Sequence, residues 1–328
     1  MTRSISTQER VWPLHEPLAI ARGVQDSVRT IQVTIVDEQG CRGRGEACGV
    51  DYAGETPASM AAQIAAVSKE IAAGASRDEM LALLPPGGAR FAIDSALWDL
   101  EAKQSGVGAF ARAGIDAPRA VDTARTIGIR PTADYADAAR AHADHAVLKI
   151  KVDGSDPLGA VAAVRRGSPH SRLILDPNQS WSIDQLKALA PQLVALGVAL
   201  LEQPVPVGAE GGLDGYRCPI PICADELIND ERDLARAKGR FDCVNIKLDK
   251  AGGLTAALRL ADAAVAEGFD LMVGCMVGSS LAMAPAMVLA QRCVFVDLDG
   301  PLLQSEDWPD GMRYEAGLVY PPTPQFWG

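Results

Sequence analysis

A parallel α/β barrel with a smaller α+β domain ahead of it is the fold this sequence predicts. Three observations carry that expectation. From about residue 120 onward, short aliphatic runs alternate with amphipathic segments at a spacing of roughly 25 residues, the period of βα units. The first 120 residues lack that rhythm and hold a hairpin pattern followed by helical ones. Charged residues recur at the ends of the aliphatic runs, where a barrel fold gathers its chemistry.

In the first domain, "RTIQVTIVDEQGCRGRGEA" alternates like two strands joined around Glu38, Gln39 and Gly40. Helical patterns follow at "PASMAAQIAAVSKEIAAG", "RDEMLALL" and "ARFAIDSALWDLEAKQSG". The last 28 residues, rich in Pro, Gly and Trp, fall outside the barrel rhythm and are expected to fold back on this domain. The expected organisation is a capping domain over 1–120, completed by about 301–328, and a catalytic barrel over 121–300.

The barrel strands are expected in "TARTIGI", "AVLKIKV", "RLILDPN", "ALLEQPV", "IPICADE", "CVNIKLDK", "FDLMVGCM" and "VFVDLDG". Segments such as "SIDQLKALAPQLVALG" and "GLTAALRLADAAVAEG" fill most gaps, with helix-start Ser or Thr and a closing Gly. The fourth gap, "GAEGGLDGYRCP", reads as mostly loop. Eight units close a barrel. The alternative is an open doubly wound sheet, which has about five or six strands more often than eight.

A net charge of −11 argues against nucleic acid or an anionic membrane surface as partner. The opening "MTRSISTQERVWPLHEP" lacks the apolar core of a secretory signal. The uncharged run from Leu271 to Gln291 is split by "GCMVGSS" and Pro285, so strand, turn and buried helix explain it better than a membrane span. Seven cysteines without CxxC spacing read as reduced thiols of a cytoplasmic protein.

Lys151, Asp176, Glu202, Asp225 and Lys247 end consecutive strands two to six, separated by 25, 26, 23 and 22 residues, and Asp297 and Asp299 end the eighth. Three carboxylates on neighbouring strands are hard oxygen ligands suited to Mg²⁺. Zinc is disfavoured, because His15, His142, His145 and His170 lie away from the strand ends. In "HAVLKIKVDG", Lys149 and Lys151 project to the same side of an apolar strand. Apolar walls and Lys149 as a neighbouring cation are expected to lower the Lys151 pKa, giving a free-amine base. The plainer alternative is a pair of snorkelling edge lysines. Lysines on two sides of a metal suit removal of a proton next to a carboxylate from one face and its return on the other, which is epimerisation. A Schiff-base lyase on a barrel lysine, or a non-catalytic sugar- or peptide-binding barrel, are the alternatives from other classes.

The ordered series "KIKVDG", "LDPNQSW", "LEQPV", "ICADE" and "VNIKLDKAGGL" resembles the enolase superfamily, in its muconate-lactonising subgroup. With "WPLHEPLAIARG" and "VDLDGP", the chain is similar over essentially its whole length to the dipeptide epimerases of that subgroup. The resemblance implies a modified TIM barrel of the (β/α)7β type with an N-terminal α+β cap. It implies Mg²⁺ held by Asp176, Glu202 and Asp225, with Lys151 and Lys247 as the acid/base pair and Lys149 as first lysine of a KxK element. It assigns Asp297 and Asp299 to the substrate's α-ammonium group, Arg22 to a side-chain carboxylate, and Thr126 to the terminal carboxylate. Tyr52 falls in a lid loop, and Asn178 and Glu226 stand behind the metal ligands. The implied reaction is epimerisation of a small dipeptide, L-Ala-D/L-Glu, in murein peptide recycling, and a homo-oligomer is left open. Other reactions of the subgroup are cycloisomerisation, o-succinylbenzoate synthesis and N-acylamino acid racemisation.

Overall fold

The computed structural model describes residues 2–328. The chain opens with a long antiparallel hairpin, β1 (Arg3–Ile20) and β2 (Gly23–Asp37), paired from Arg3↔Asp37 to Ile20↔Gly23 with an irregularity between Pro13 and Leu18. The sequence reading did not include β1. β3 (Arg42–Ala47) adds to β2 through the expected turn, where Gly40 has φ of 82° and the Asp37 carboxylate accepts from the Gln39 and Cys41 N–H groups.

Three helices follow: α1 (Pro57–Ala66), α2 (Ser68–Ala72) and α3 (Arg77–Leu83), with reciprocal capping boxes starting α1 at Thr56 and α3 at Ser76. α4 (Gly88–Ser105) then lies directly on β3. Side chains at Gly43 and Gly45 would put a Cβ 2.0 Å from the Ala96 carbonyl oxygen and 2.2 Å from that of Ala92, so glycine is what lets helix and strand touch. α5 (Ala109–Arg112) and β4 (Val121–Asp122) lead into the barrel.

Its eight parallel strands run in chain order: β5 (Arg125–Ile127), β6 (Val147–Lys151), β7 (Arg172–Asp176), β8 (Val198–Glu202), β9 (Ile222–Ala224), β10 (Cys243–Lys247), β11 (Asp270–Gly274) and β12 (Phe295–Val296). The ring closes where the Ala124 N–H donates to the Val296 carbonyl at 2.8 Å. Helices α6 (Tyr135–Arg140), α7 (Pro157–Gly167) and α8 (Ile183–Ala195) fill the first three gaps. The fourth holds only a 3₁₀ turn over Glu210–Leu213, as the sequence anticipates. Short α9 (Leu234–Ala237), then α10 (Leu248–Ala251) and α11 (Leu254–Ala266), and α12 (Ser280–Ala290) complete the layer. Every residue of α12 is buried, so the uncharged run is β11 and a core helix. Among the described residues no helix is long and apolar enough to cross a membrane, and all seven cysteines are free.

After α13 (Gly300–Leu303), the tail forms a ribbon of β13 (Tyr314–Glu315) and β14 (Leu318–Val319), and β14 also pairs with β4. Phe326 and Trp327 are buried beside α4: Arg44 donates to the Phe326 carbonyl, Trp327 Nε1 to that of Ser95, and the Gly328 N–H to Asp99.

Three buried carboxylates join the first unit to the barrel through backbone amides. Glu46 accepts from the Ser279 N–H (3.1 Å), Asp94 from that of Thr255 (3.0 Å), and Asp249 from that of Gly49 (2.8 Å). Burial raises Glu46 and Asp249 to about 7 and Asp94 to about 6.

Candidate active site

Inside the barrel, side chains alternate inward and outward with period two. Ala124, Val147, Ile174, Leu200, Cys223, Cys243, Met272 and Phe295 form an apolar plug with one residue from each stave. Two residues further along each, the inward position holds Thr126, Lys149, Asp176, Glu202, Asp225, Asn245, Gly274 and Asp297. Seven of these eight are polar, and the glycine is a spatial necessity: a Cβ on Gly274 would fall 2.7 Å from Asn245 Nδ2. Lys151 and Lys247 stand one further inward step up, on β6 and β10. The two lysines of "KIK" are therefore interior residues of a closed barrel, and no edge is available for snorkelling.

Lys149 Nζ lies 2.8 Å from Asp297 Oδ2, 2.9 Å from Glu202 Oε1 and 3.2 Å from Asp176 Oδ2. Lys151 Nζ donates to Asp176 Oδ2 (2.6 Å) and Asn178 Oδ1 (3.1 Å), and Lys247 Nζ to Asp225 Oδ2 (2.7 Å). This corrects the expected environment of the amines. Their near neighbours are carboxylates, with apolar walls and a lone cation playing little part. Burial alone would lower the Lys149 pKa, but Asp297, Glu202 and Asp176 lift it well above the ordinary value, and Asp225 lifts Lys247 in the same way.

The acids divide unevenly. Burial opposes ionisation of Asp176, yet Lys151 and Lys149 bring it down to about 2. Against the same burial, Lys247 and Lys250 hold Asp225 well below the carboxylate range. Glu202 goes the other way, to about 8, through burial and the neighbouring Asp176. Its Oε2 sits 2.8 Å from Lys149 Nζ but lacks the alignment of a hydrogen bond. Three fully buried, oxygen-only acids on adjacent strands, one with its negative charge poorly compensated, fit a hard divalent cation. Among the described residues no three acids, histidines or cysteines stand together as a ready-made cage, because each carboxylate is turned to a lysine.

Above these groups opens a cavity of about 490 Å³, lined by Lys149, Lys151, Lys247, Asp297, Asp299 and Thr126 from the barrel and by Arg22 from the cap. Asp299 accepts from the Thr126 N–H at 2.6 Å, and burial together with Asp297 raises its pKa to about 6. Asp297 Oδ1 is buried with no protein partner. Arg22, in the tight turn between β1 and β2, donates to Glu226 at 2.5 Å and stacks 4.7 Å from the centre of the Tyr52 ring. Asn178 lies between Lys151 and Glu226, with its own N–H on Asp176 Oδ1.

Several residues escaped the sequence reading. Asn245 donates to Glu202 Oε1 at 2.9 Å, and Lys250 is buried with Nζ 2.6 Å from Asp225 Oδ1. Gln203 Oε1 accepts from the Asp225 and Leu227 N–H groups. Asn178, Gln179 and Gln203 all have positive φ (45°, 69° and 35°), so strained backbone gathers at the barrel mouth. For Asn245 the signal was available: it sits two residues before Lys247 on an apolar strand, as Lys149 does before Lys151.

Two family models account for nearly all of the sequence. Residues 2–116 match the mandelate racemase/muconate lactonizing enzyme N-terminal domain, and residues 120–324 match the enolase C-terminal domain-like fold. The chain belongs to the enolase superfamily. Within that superfamily it is 40% identical to the L-Ala-D/L-Glu epimerase of Escherichia coli K12, covering 97% of this chain and 99% of the relative. It is 42% identical to an N-acetyl-D-glutamate racemase of a Pseudoalteromonas species, over 76% of this chain and 79% of the relative. An enolase family member from Agrobacterium tumefaciens with homology to dipeptide epimerases, solved with sodium and L-Ala-L-Glu, superposes with a TM-score of 0.97 at 39% identity, covering 99% of this chain and all of that one. The dipeptide epimerase of Methylococcus capsulatus, solved with Mg and L-Arg-D-Lys, superposes with a TM-score of 0.86 at 29% identity over 98% of this chain and 97% of that one.

Proposed function

We propose that this enolase-superfamily chain is a Mg²⁺-dependent dipeptide epimerase acting on the glutamyl residue of L-Ala-D/L-Glu. One arrangement carries the reading. β6 and β10 are four places apart in a ring of eight, so Lys151 and Lys247 approach the cavity from opposite sides, with the strands of Asp176, Glu202 and Asp225 between them. Mg²⁺ held by those three acids would bind the substrate's carboxylate and stabilise the negative charge of the enediolate. One lysine, as free amine, takes the α-proton from its face. The other, as ammonium, delivers a proton to the opposite face, and the configuration inverts. Lys149, held by Asp297 and Glu202, stays charged and adds to the positive field around the substrate carboxylate.

Asp297 and Asp299 supply the anionic end. Asp299 at about 6 and the unpartnered Asp297 Oδ1 describe a carboxylate pair short of a cation, which a dipeptide's α-ammonium provides. Arg22 at the hairpin tip meets a side-chain carboxylate, and Thr126 lies within the cavity for the terminal one. The free thiols and the substrate class suit a cytoplasmic enzyme of peptidoglycan recycling.

Proton NMR in D₂O with Mg²⁺ tests the reaction. The glutamyl α-proton signal of L-Ala-L-Glu should disappear as the D-glutamyl epimer forms, and chelation should stop both. K151A and K247A should each reduce epimerisation by about a thousandfold or more, while each variant still exchanges the α-proton of one epimer through the remaining lysine. Persistence of the α-proton in the wild-type reaction would falsify the reading.

N-acylglutamate racemisation is the second reading, favoured by the 42% identity to the N-acetyl-D-glutamate racemase. An acylated nitrogen carries no charge for Asp297 and Asp299 to meet. Turnover of N-acetyl-D-glutamate in preference to L-Ala-L-Glu would select that reading.

A further inference from the structure

Glu226 is the residue after Asp225, and its side chain is only 3% exposed. Among the described residues, Arg22 is the cation within ion-pair distance of it, bound through Nη1 to Oε1 at 2.5 Å. The same oxygen accepts from Asn178 Nδ2 at 3.4 Å, and Glu226 Oε2 is buried without a protein partner. Arg22 is itself a third exposed, lines the cavity that holds Lys151, Lys247 and Asp297, and is backed by the Tyr52 ring from the second loop of the cap. The contact therefore joins three separate segments at the cavity mouth: the β1–β2 turn, the 50s loop and the end of β9.

A guanidinium in this position has two candidate anions, one inside the protein and one brought by a substrate. We propose that Arg22 and Glu226 form a self-latch, in which Glu226 stands in for the substrate's side-chain carboxylate and is displaced by it. The proposal rests on the reading of Arg22 given above. Glu226 is then a specificity-determining residue that acts through Arg22 and touches no substrate atom. An anionic side chain must compete with Glu226 for the guanidinium, whereas a neutral one leaves the latch in place.

The test compares wild type, E226Q, R22M and the double variant on L-Ala-L-Glu and on L-Ala-L-Gln, its isostere with a neutral side chain. Replacing Glu226 by Gln removes the competitor, so KM for L-Ala-L-Glu should fall about fivefold, the scale of a partly exposed ion pair. The KM for L-Ala-L-Gln should stay put, so the ratio of the two KM values carries the readout. In the R22M background, E226Q should have no effect on either dipeptide, which is the coupling a double-mutant cycle reads. The latch is overturned if E226Q leaves KM for L-Ala-L-Glu unchanged or raises it, shifts both dipeptides alike, or acts undiminished without Arg22. If wild type turns over neither dipeptide, the proposed reaction fails. Calorimetric affinities of the same four proteins for the two dipeptides, with Mg²⁺ present, then decide the latch separately.

Discussion

Just past the end of β12, two carboxylates separated by Leu298 have different surroundings. Asp297 Oδ2 holds Lys149, while Asp299 accepts from the Thr126 N–H and keeps a raised pKa of about 6 beside its neighbour. In the proposed reading, protonation makes Asp299 neutral and weakens the pair's attraction for the substrate's ammonium group, so affinity is lost as pH falls. We expect KM for L-Ala-L-Glu to rise as pH drops through about 6, and D299N to abolish that dependence while weakening binding at all pH values. A flat KM profile from pH 5 to 8 in wild type would count against the role. At this scale the charged residues were legible because each interrupts an apolar run at a strand end, where an interior position explains a charge better than an exposed edge does. Lys250 was not, because at the end of the expected strand "CVNIKLDK" it falls three residues after Lys247, on the opposite face. Only the tertiary path of α10 turns it inward onto Asp225. The apolar surroundings expected for the amines of "KIK" were misjudged for a related reason: a strand's own sequence cannot say which acids arrive from three other strands.

Elements were legible in proportion to how fully they are buried. The barrel strands are buried along nearly their whole length and read as apolar runs, whereas β1 is mostly exposed and its few half-buried positions give no clear alternation. Glycine was the least informative residue in the sequence and among the most constrained in the fold. Gly45 on β3 leaves no space for a side chain against Ala92 and Ala96 of α4. G45V should push strand and helix apart and destabilise the chain by about 3 kcal/mol, the range of overpacking in a core. Thermal unfolding followed by circular dichroism measures this, and a melting temperature within a degree of wild type would contradict the packing argument.

For the whole molecule, the junction between cap and barrel is where pH should be felt. Glu46 and Asp249 at about 7 and Asp94 at about 6 all lie above their unfolded values of 4.5 or 3.8. A carboxyl whose folded pKa is raised binds its proton more tightly when folded. Its stabilisation is complete below the unfolded pKa and is lost as pH rises toward the folded one. Denaturant midpoints should therefore fall between pH 5 and 8, and E46Q should recover about 2 kcal/mol relative to wild type across that interval. Equal pH dependence in the two proteins would remove Glu46 from the account. The barrel has one further property that follows from its closure. Between β5 and β12 the ring is fastened by the Ala124–Val296 backbone bond and by the Leu298 N–H on Thr123 Oγ1, and just outside it the tail's β14 grips β4. The tail thus works as a strap beside the seam, one end tied there and the other pinned against α4. An excised module of staves alone would have lost that strap, so the chemistry at the mouth and the far terminus of the polypeptide are mechanically one object.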